Sequence, residues 1–145
     1  MATAWTKAQV VAGNSLEKEI KISKDLVIRS QVIDFDRVAS IASGSLAVND
    51  TFQCLDVKAG ETILQAGINV LTATTAAATG DLGFTGGVVD YFVDGIALND
   101  TTFPSITTSL DGSMYIASAD TIDLISLSQS PAGGKVKVWA LIARI

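Results

Sequence analysis

Thr121-Ile-Asp-Leu-Ile-Ser-Leu127 and Lys135-Val-Lys-Val-Trp-Ala-Leu-Ile142, joined by Ser128-Gln-Ser-Pro-Ala-Gly-Gly134, decide the fold class. In both runs apolar residues return at every second position. A pleated strand sends successive side chains to opposite faces, so this alternation marks half-buried strands. Pro131 and Gly133-Gly134 supply turn chemistry between them. The two runs predict a hairpin.

The same rhythm extends upstream. Asn49-Asp50 leads into Thr51 to Val57, and Lys58-Ala-Gly60-Glu61 closes that run and opens Thr62 to Ala66. Gly67 precedes a further segment, Ile68 to Thr72, and residues 74–80 read as a loop. Gly86-Gly87 separates Asp81 to Phe84 from Val88 to Val93, with Asp94-Gly95 as the next turn, and Asp111-Gly112 divides Ile106 to Leu110 from Ser113 to Ala117. Leu26 to Phe35 reads as a first strand, and Asp36 to Ala42 as one helical turn. About seven to nine short strands without crossover helices predict an all-β sandwich or barrel. Its core should include Phe52, Cys54, Ile68, Val70, Ile122, Leu124, Val136 and Val138, while Asp56, Asp90 and Asp123 face outward by alternation.

Residues 1–25 read differently, as an irregular N-terminal arm ahead of a domain spanning 26–145. Asn14-Ser-Leu-Glu17 has the spacing of a capping box, but Glu19 to Ser23 alternates with period two. Leu46-Ala-Val-Asn-Asp-Thr-Phe52 resembles Ile96-Ala-Leu-Asn-Asp-Thr-Thr-Phe103, which reads as two similar Asn-Asp turns.

Composition narrows the function. Apolar residues make up 48% of the 145 and charged residues 17%, with mean hydropathy +0.42. This apolar content is not gathered into a membrane span of about 20 residues, since the strongest run, Val136 to Ile145, contains Lys137 and Arg144. Nothing in Met1 to Lys7 directs secretion, so synthesis in a cytoplasm is expected. The single Cys54 reads as a small buried hydrophobe. There is no histidine, which removes the commonest general base and metal ligand. Paired carboxylates occur without the aromatic platforms of a glycosidase, and no calcium loop is present. No catalytic residues, cofactor or metal are expected, and the protein reads as non-enzymatic.

Net charge is −5, unevenly spread. From Ala59 to Gly134 there are eight carboxylates (Glu61, Asp81, Asp90, Asp94, Asp100, Asp111, Asp120, Asp123) and no Lys or Arg. Such a body repels phosphate, so nucleic acid is not an expected partner. The arm carries Lys7, Lys18, Lys21 and Lys24 with Val10, Val11, Leu16, Ile20 and Ile22. These nine residues form the expected interface: aliphatics to enter a neighbour's groove, lysines to meet acids that lack a partner at home.

One resemblance spans most of the chain after Gln31. Gln31-Val-Ile-Asp-Phe35, Asp50-Thr-Phe-Gln-Cys-Leu-Asp-Val-Lys-Ala-Gly60, Gly83-Phe-Thr-Gly-Gly-Val-Val-Asp90, Phe92-Val-Asp-Gly95, Ala119-Asp-Thr-Ile-Asp-Leu124 and Gly134-Lys-Val-Lys-Val-Trp-Ala-Leu141 occur in an order that resembles small virion proteins of tailed bacteriophages, in particular head decoration (cement) proteins, including those of cyanophages. The resemblance implies an antiparallel, jelly-roll-like β-sandwich on the outer capsid surface, bound to the major capsid protein as a homo-oligomer, often a trimer. It implies no catalytic residues. A tail, connector or head-fibre protein is the nearest alternative. A carbohydrate- or receptor-binding module would need an exposed aromatic cluster, for which only Trp5, Tyr91, Phe103 and Tyr115 are available.

Overall fold

The computed structural model describes residues 2–12, 14, 17–102 and 114–144. The elements among them are β1 (Ala4–Trp5), α1 (Lys7–Ala12), β2 (Lys18–Ser23), β3 (Leu26–Asp34), α2 (Phe35–Ile41), β4 (Thr51–Val57), β5 (Glu61–Thr72), β6 (Thr79–Gly83), β7 (Val93–Ala97), β8 (Met114–Tyr115), β9 (Asp120–Leu127) and β10 (Lys135–Arg144). They form two five-stranded sheets, β1-β4-β9-β6-β7 and β2-β3-β10-β5-β8. All pairings are antiparallel except β1 with β4.

From β3 to β10 the chain crosses repeatedly between sheets, leaving β3-β10-β5-β8 facing β4-β9-β6-β7. This wiring is consistent with a jelly roll, in which two Greek keys are wound together. The arm adds one strand to an edge of each sheet: β1 beside β4 and β2 beside β3. The helical turn after the first strand is α2, whose N-cap Asp34 accepts from the Arg37 N–H.

Four local expectations are corrected. The runs 121–127 and 135–142 are strands, but β9 and β10 lie in different sheets and do not pair. Their inward residues enter one core from opposite sheets, and an alternating pattern is the same whether two strands lie side by side or face to face. Gly67 does not divide two strands, because β5 runs unbroken through it, with Gly67 opposite Trp139. Residues 88–92 form no strand: Val88 is irregular and 89–92 are turn and bend. Asp94-Gly95 lies within β7, where the register slips between Gly80 and Leu82 and the Gly95 N–H (φ +68°) donates to Asp81 Oδ1 at 2.7 Å. Positive φ is a glycine property that serves a bulge as well as a turn. The expected turn at Asp111-Gly112 falls outside the described residues. The two similar Asn-Asp segments are not equivalent: Asn49-Asp50 precedes β4, whereas Asn99-Asp100 follows β7.

All eight expected core residues are buried. Leu124 is fully buried on β9, between Phe52 of β4 and Leu82 of β6 in register. Leu124→Ala is therefore expected to cost about 2–5 kcal/mol in urea unfolding. Val88→Ala, at an exposed position, is expected to stay within about 0.5 kcal/mol of the parent.

Candidate interaction surface

The second sheet carries an apolar outer face. On β3 the buried side chains Val27, Arg29, Gln31 and Ile33 belong to the inner set, so Ile28, Ser30 and Val32 lie on the other face. On β10, Val136, Val138, Ala140 and Ile142 are inner, leaving Lys137, Trp139 and Leu141 outside. The register places Ile20, Ile28, Leu141 and Gln65 in one row across four strands, and Ser30, Trp139 and Gly67 in the next. Ile28, Trp139 and Leu141 are half-buried, while Ile20 is 61% and Leu71 46% exposed. An apolar stripe of this extent on a sheet exterior is a surface suited to a partner.

The nine expected interface residues do not share one surface. Lys7 and Val10 are turned to their own domain: Lys7 Nζ lies 3.1 Å from Glu17 Oε1 and 3.6 Å from Asp56 Oδ2, and Val10 is fully buried. Glu17 also accepts from the Asp56 N–H, so it ties the arm to β4 rather than capping a helix. Val11 is half-buried, and Leu16 lies outside the described residues. Lys18, Ile20, Lys21, Ile22 and Lys24 are exposed on β2 and the turn beyond it. No ion pair to Lys18, Lys21 or Lys24 forms among the described residues.

The anchor of the arm is a pair that sequence reasoning did not assign. Trp5 is buried, stacks on Phe52 with ring centres 6.2 Å apart, and donates its Nε1–H to Asp50 Oδ2 at 3.0 Å. Asp50, itself fully buried, also accepts from the Thr3 and Ala47 N–H groups. The tryptophan itself was the available signal, because so large an apolar ring seldom stays in water.

β2 is held by charge. Arg29 is 2% exposed and Glu61 4%; Arg29 Nη1 donates to Glu61 Oε1 at 2.6 Å and to the Asp56 carbonyl at 3.1 Å, which links the two sheets. Arg29 Nε reaches Glu19 of β2 at 3.0 Å, and Arg144 Nη2 reaches Glu19 at 2.7 Å. Burial disfavours the charged form of Arg29, but the hydrogen bonds to Glu61 and Glu19 outweigh it and hold the pKa above the ordinary value. Burial likewise opposes ionisation of Glu61, yet the bonds from Arg29 and the Lys58 N–H prevail and its pKa is lowered. The Arg29 hydrogen bond lowers that of Glu19.

Asp81 and Asp123 are also buried, and neither forms an ion pair among the described residues. Asp123 lies on the face of β9 opposite Ile122 and Leu124, as alternation requires, but it is not exposed: the Thr85 N–H and Thr121 hydroxyl donate to it. Burial raises the pKa of both Asp123 and Asp81 against these hydrogen bonds, with Asp94 and Asp90 adding repulsion at Asp81. Asp56 is exposed as expected, and Asp90 is half-buried in a turn. Among the described residues no cluster of three or more potential ligands could hold a metal ion, and no helix is long and apolar enough to cross a membrane. Cys54 is fully buried, which pushes its thiol pKa well up and leaves it unreactive.

No protein-family model matches the chain. No curated protein matches it either. Solved structures do. The chain is similar to one in the capsid of Ralstonia phage GP4, with TM-score 0.64, 11% identity and 98% of each chain covered. It is similar to one in the cyanophage Pam1 capsid asymmetric unit, with TM-score 0.61, 12% identity, and 87% of this chain and 91% of that one covered. A third likeness is to a chain in the acidic stable capsid of Helicobacter pylori bacteriophage KHP30, with TM-score 0.60, 10% identity, and 88% and 93% covered. At these identities the likeness establishes a shared fold: this sandwich, over nearly its whole length, is the fold of chains found in phage capsids.

Proposed function

We propose that the protein is a non-enzymatic virion component, a decoration or cement subunit that binds the outer surface of an assembled phage head as an oligomer. The observation that carries this reading is the near-complete overlap, 98% of both chains, with a chain of a phage capsid. The apolar outer stripe of the second sheet between its edges, with Ile28, Trp139, Leu141 and Leu71, supplies a means of attachment, with the major capsid protein as partner. A subunit that binds only the assembled shell stabilises it by mass action, because separated capsid proteins no longer offer the site.

The test is co-sedimentation with undecorated shells, followed by heating of the particles. The parent protein is expected to bind and raise the temperature at which shells open. Leu71→Lys, at an exposed position, should fold normally and bind at least about tenfold more weakly, the loss expected when a charge enters an apolar contact. A parent protein that never sediments with shells would end the reading.

A further inference from the structure

We infer that strand β2 of one copy seats in an apolar cleft at the opposite edge of a second copy, so that identical chains join head to tail. The inference rests on the oligomeric part of the reading above and names the contact that builds it.

The donor is the exposed strand Lys18-Glu-Ile-Lys-Ile-Ser23. Ile20 and Ile22 are 61% and 54% exposed, an unusual cost for two β-branched side chains on one short edge strand. An open edge with apolar side chains is a template for pairing with another chain. Three lysines surround them, Lys18, Lys21 and Lys24, none with an ion partner among the described residues.

The acceptor is a cleft of about 400 Å³ whose walls include Phe84, Val88, Tyr91, Tyr115 and Asp120. Tyr115 is 64% and Val88 55% exposed, so the lining is apolar and open to solvent. Its charge complements the donor: Asp120 stands in the wall, Asp90 lies one residue from Tyr91, and the whole stretch from Ala59 to Gly134 holds no Lys or Arg. A strand with aliphatic residues and lysines fits an apolar cleft that carries Asp120 in its wall and no cation in its lining. The matching surfaces occur on the same chain, so the occupant is a second copy.

The topology excludes self-occupation. In the second sheet β2 and β8 are the two edges, with β3, β10 and β5 between them. Four strand spacings set them about 19 Å apart. A contact from one edge to the other is heterologous, and heterologous contacts close into rings when the rotation allows.

The experiment uses the full chain carrying Ile22→Cys and Tyr115→Cys together. Both positions are exposed, and the native Cys54 is too buried to interfere. A disulfide needs Cα atoms within about 7 Å, so no link can form within one folded subunit. Mild oxidation should yield covalent closed species on a non-reducing gel, whose subunit number gives the symmetry, while either single variant alone stays unlinked. Lys21→Glu should weaken association about two- to fivefold, the scale of a surface pair, and adding Asp120→Lys should restore it. Double-cysteine protein that remains unlinked both in solution and on shells overturns the inference, as does equal linking by the single variants. Linked rings that fail to bind shells would sink the capsid reading alone; shell binding by unlinked subunits would sink the inference alone.

Discussion

Replacing Arg29 by methionine is expected to cost about 3–5 kcal/mol at neutral pH, because it leaves the buried Glu61 carboxylate without its main partner. Arg29 fills its site as a side chain of 2% exposure and serves Glu61, Glu19 and the Asp56 carbonyl together. Methionine restores much of the volume and none of the donors. The same change also weakens a pH dependence. In the parent, Glu61 and Glu19 have lowered pKa values. Their contribution is therefore present above the ordinary carboxylate pKa of about 4.3 and lost as pH falls through the folded values. Without Arg29, Glu61 keeps the Lys58 N–H and Arg144 Nε at 3.4 Å against its burial, so its pKa should rise from the parent's lowered value. The stability gained from its ionisation, present at neutral pH and lost on acidification, should shrink accordingly. The gap between parent and variant should narrow between about pH 6 and pH 4. Urea unfolding at several pH values measures it; a deficit that is small at pH 7, or that widens on acidification, would refute the account.

Phe52→Ala should be comparably severe, at about 3–5 kcal/mol. Phe52 is fully buried on β4, with Trp5 stacked at 6.2 Å on one side and Phe35 edge-on at 4.9 Å on another. It is the point where the arm, the first sheet and helix α2 meet. Removal of the ring opens a cavity and takes away the surface on which Trp5 stacks. Two readouts should change together: the unfolding midpoint falls, and Trp5 moves from a buried to a wetter environment with a red-shifted emission. A destabilised variant whose tryptophan emission is unaltered would place the damage elsewhere than at the arm.

The strands and the inward residues were legible because alternation is a local property. Phe52, Ile122, Leu124, Val136 and Val138 follow period two and are all buried. Pairing was not legible. β9 is followed by a good turn and another good strand, yet β10 joins β3, whose residues lie about a hundred positions earlier in the sequence, and β5. Partner choice depends on how two sheets stack, and no window of ten residues contains that information. Burial of charge was equally hidden: Arg29, Glu61, Asp50 and Asp123 are ordinary polar letters in strand-like or turn-like runs, and only the assembled sandwich surrounds them. Of the expected interface, the exposed group on β2 was readable from charge and hydropathy together. Lys7 and Val10 drew the same reading but are used within their own domain, because Trp5 and Asp50 pull the first helix against β4.

The position of β10 has a consequence for biosynthesis. Residues 135–144 are synthesised after every strand they touch, and they fill the middle of the second sheet between β3 and β5. Until residues 135–144 have been made and have emerged, that sheet has an empty centre, and neither β3 nor β5 has its inner neighbour. A nascent or prematurely ended chain therefore displays two raw strand edges and cannot close the sandwich, which is a target for chaperones and proteases. Closure waits for long-range pairing and belongs with the slow folding expected of such topologies. Translation itself thereby acts as a checkpoint: only chains extended through β10 acquire the finished surfaces.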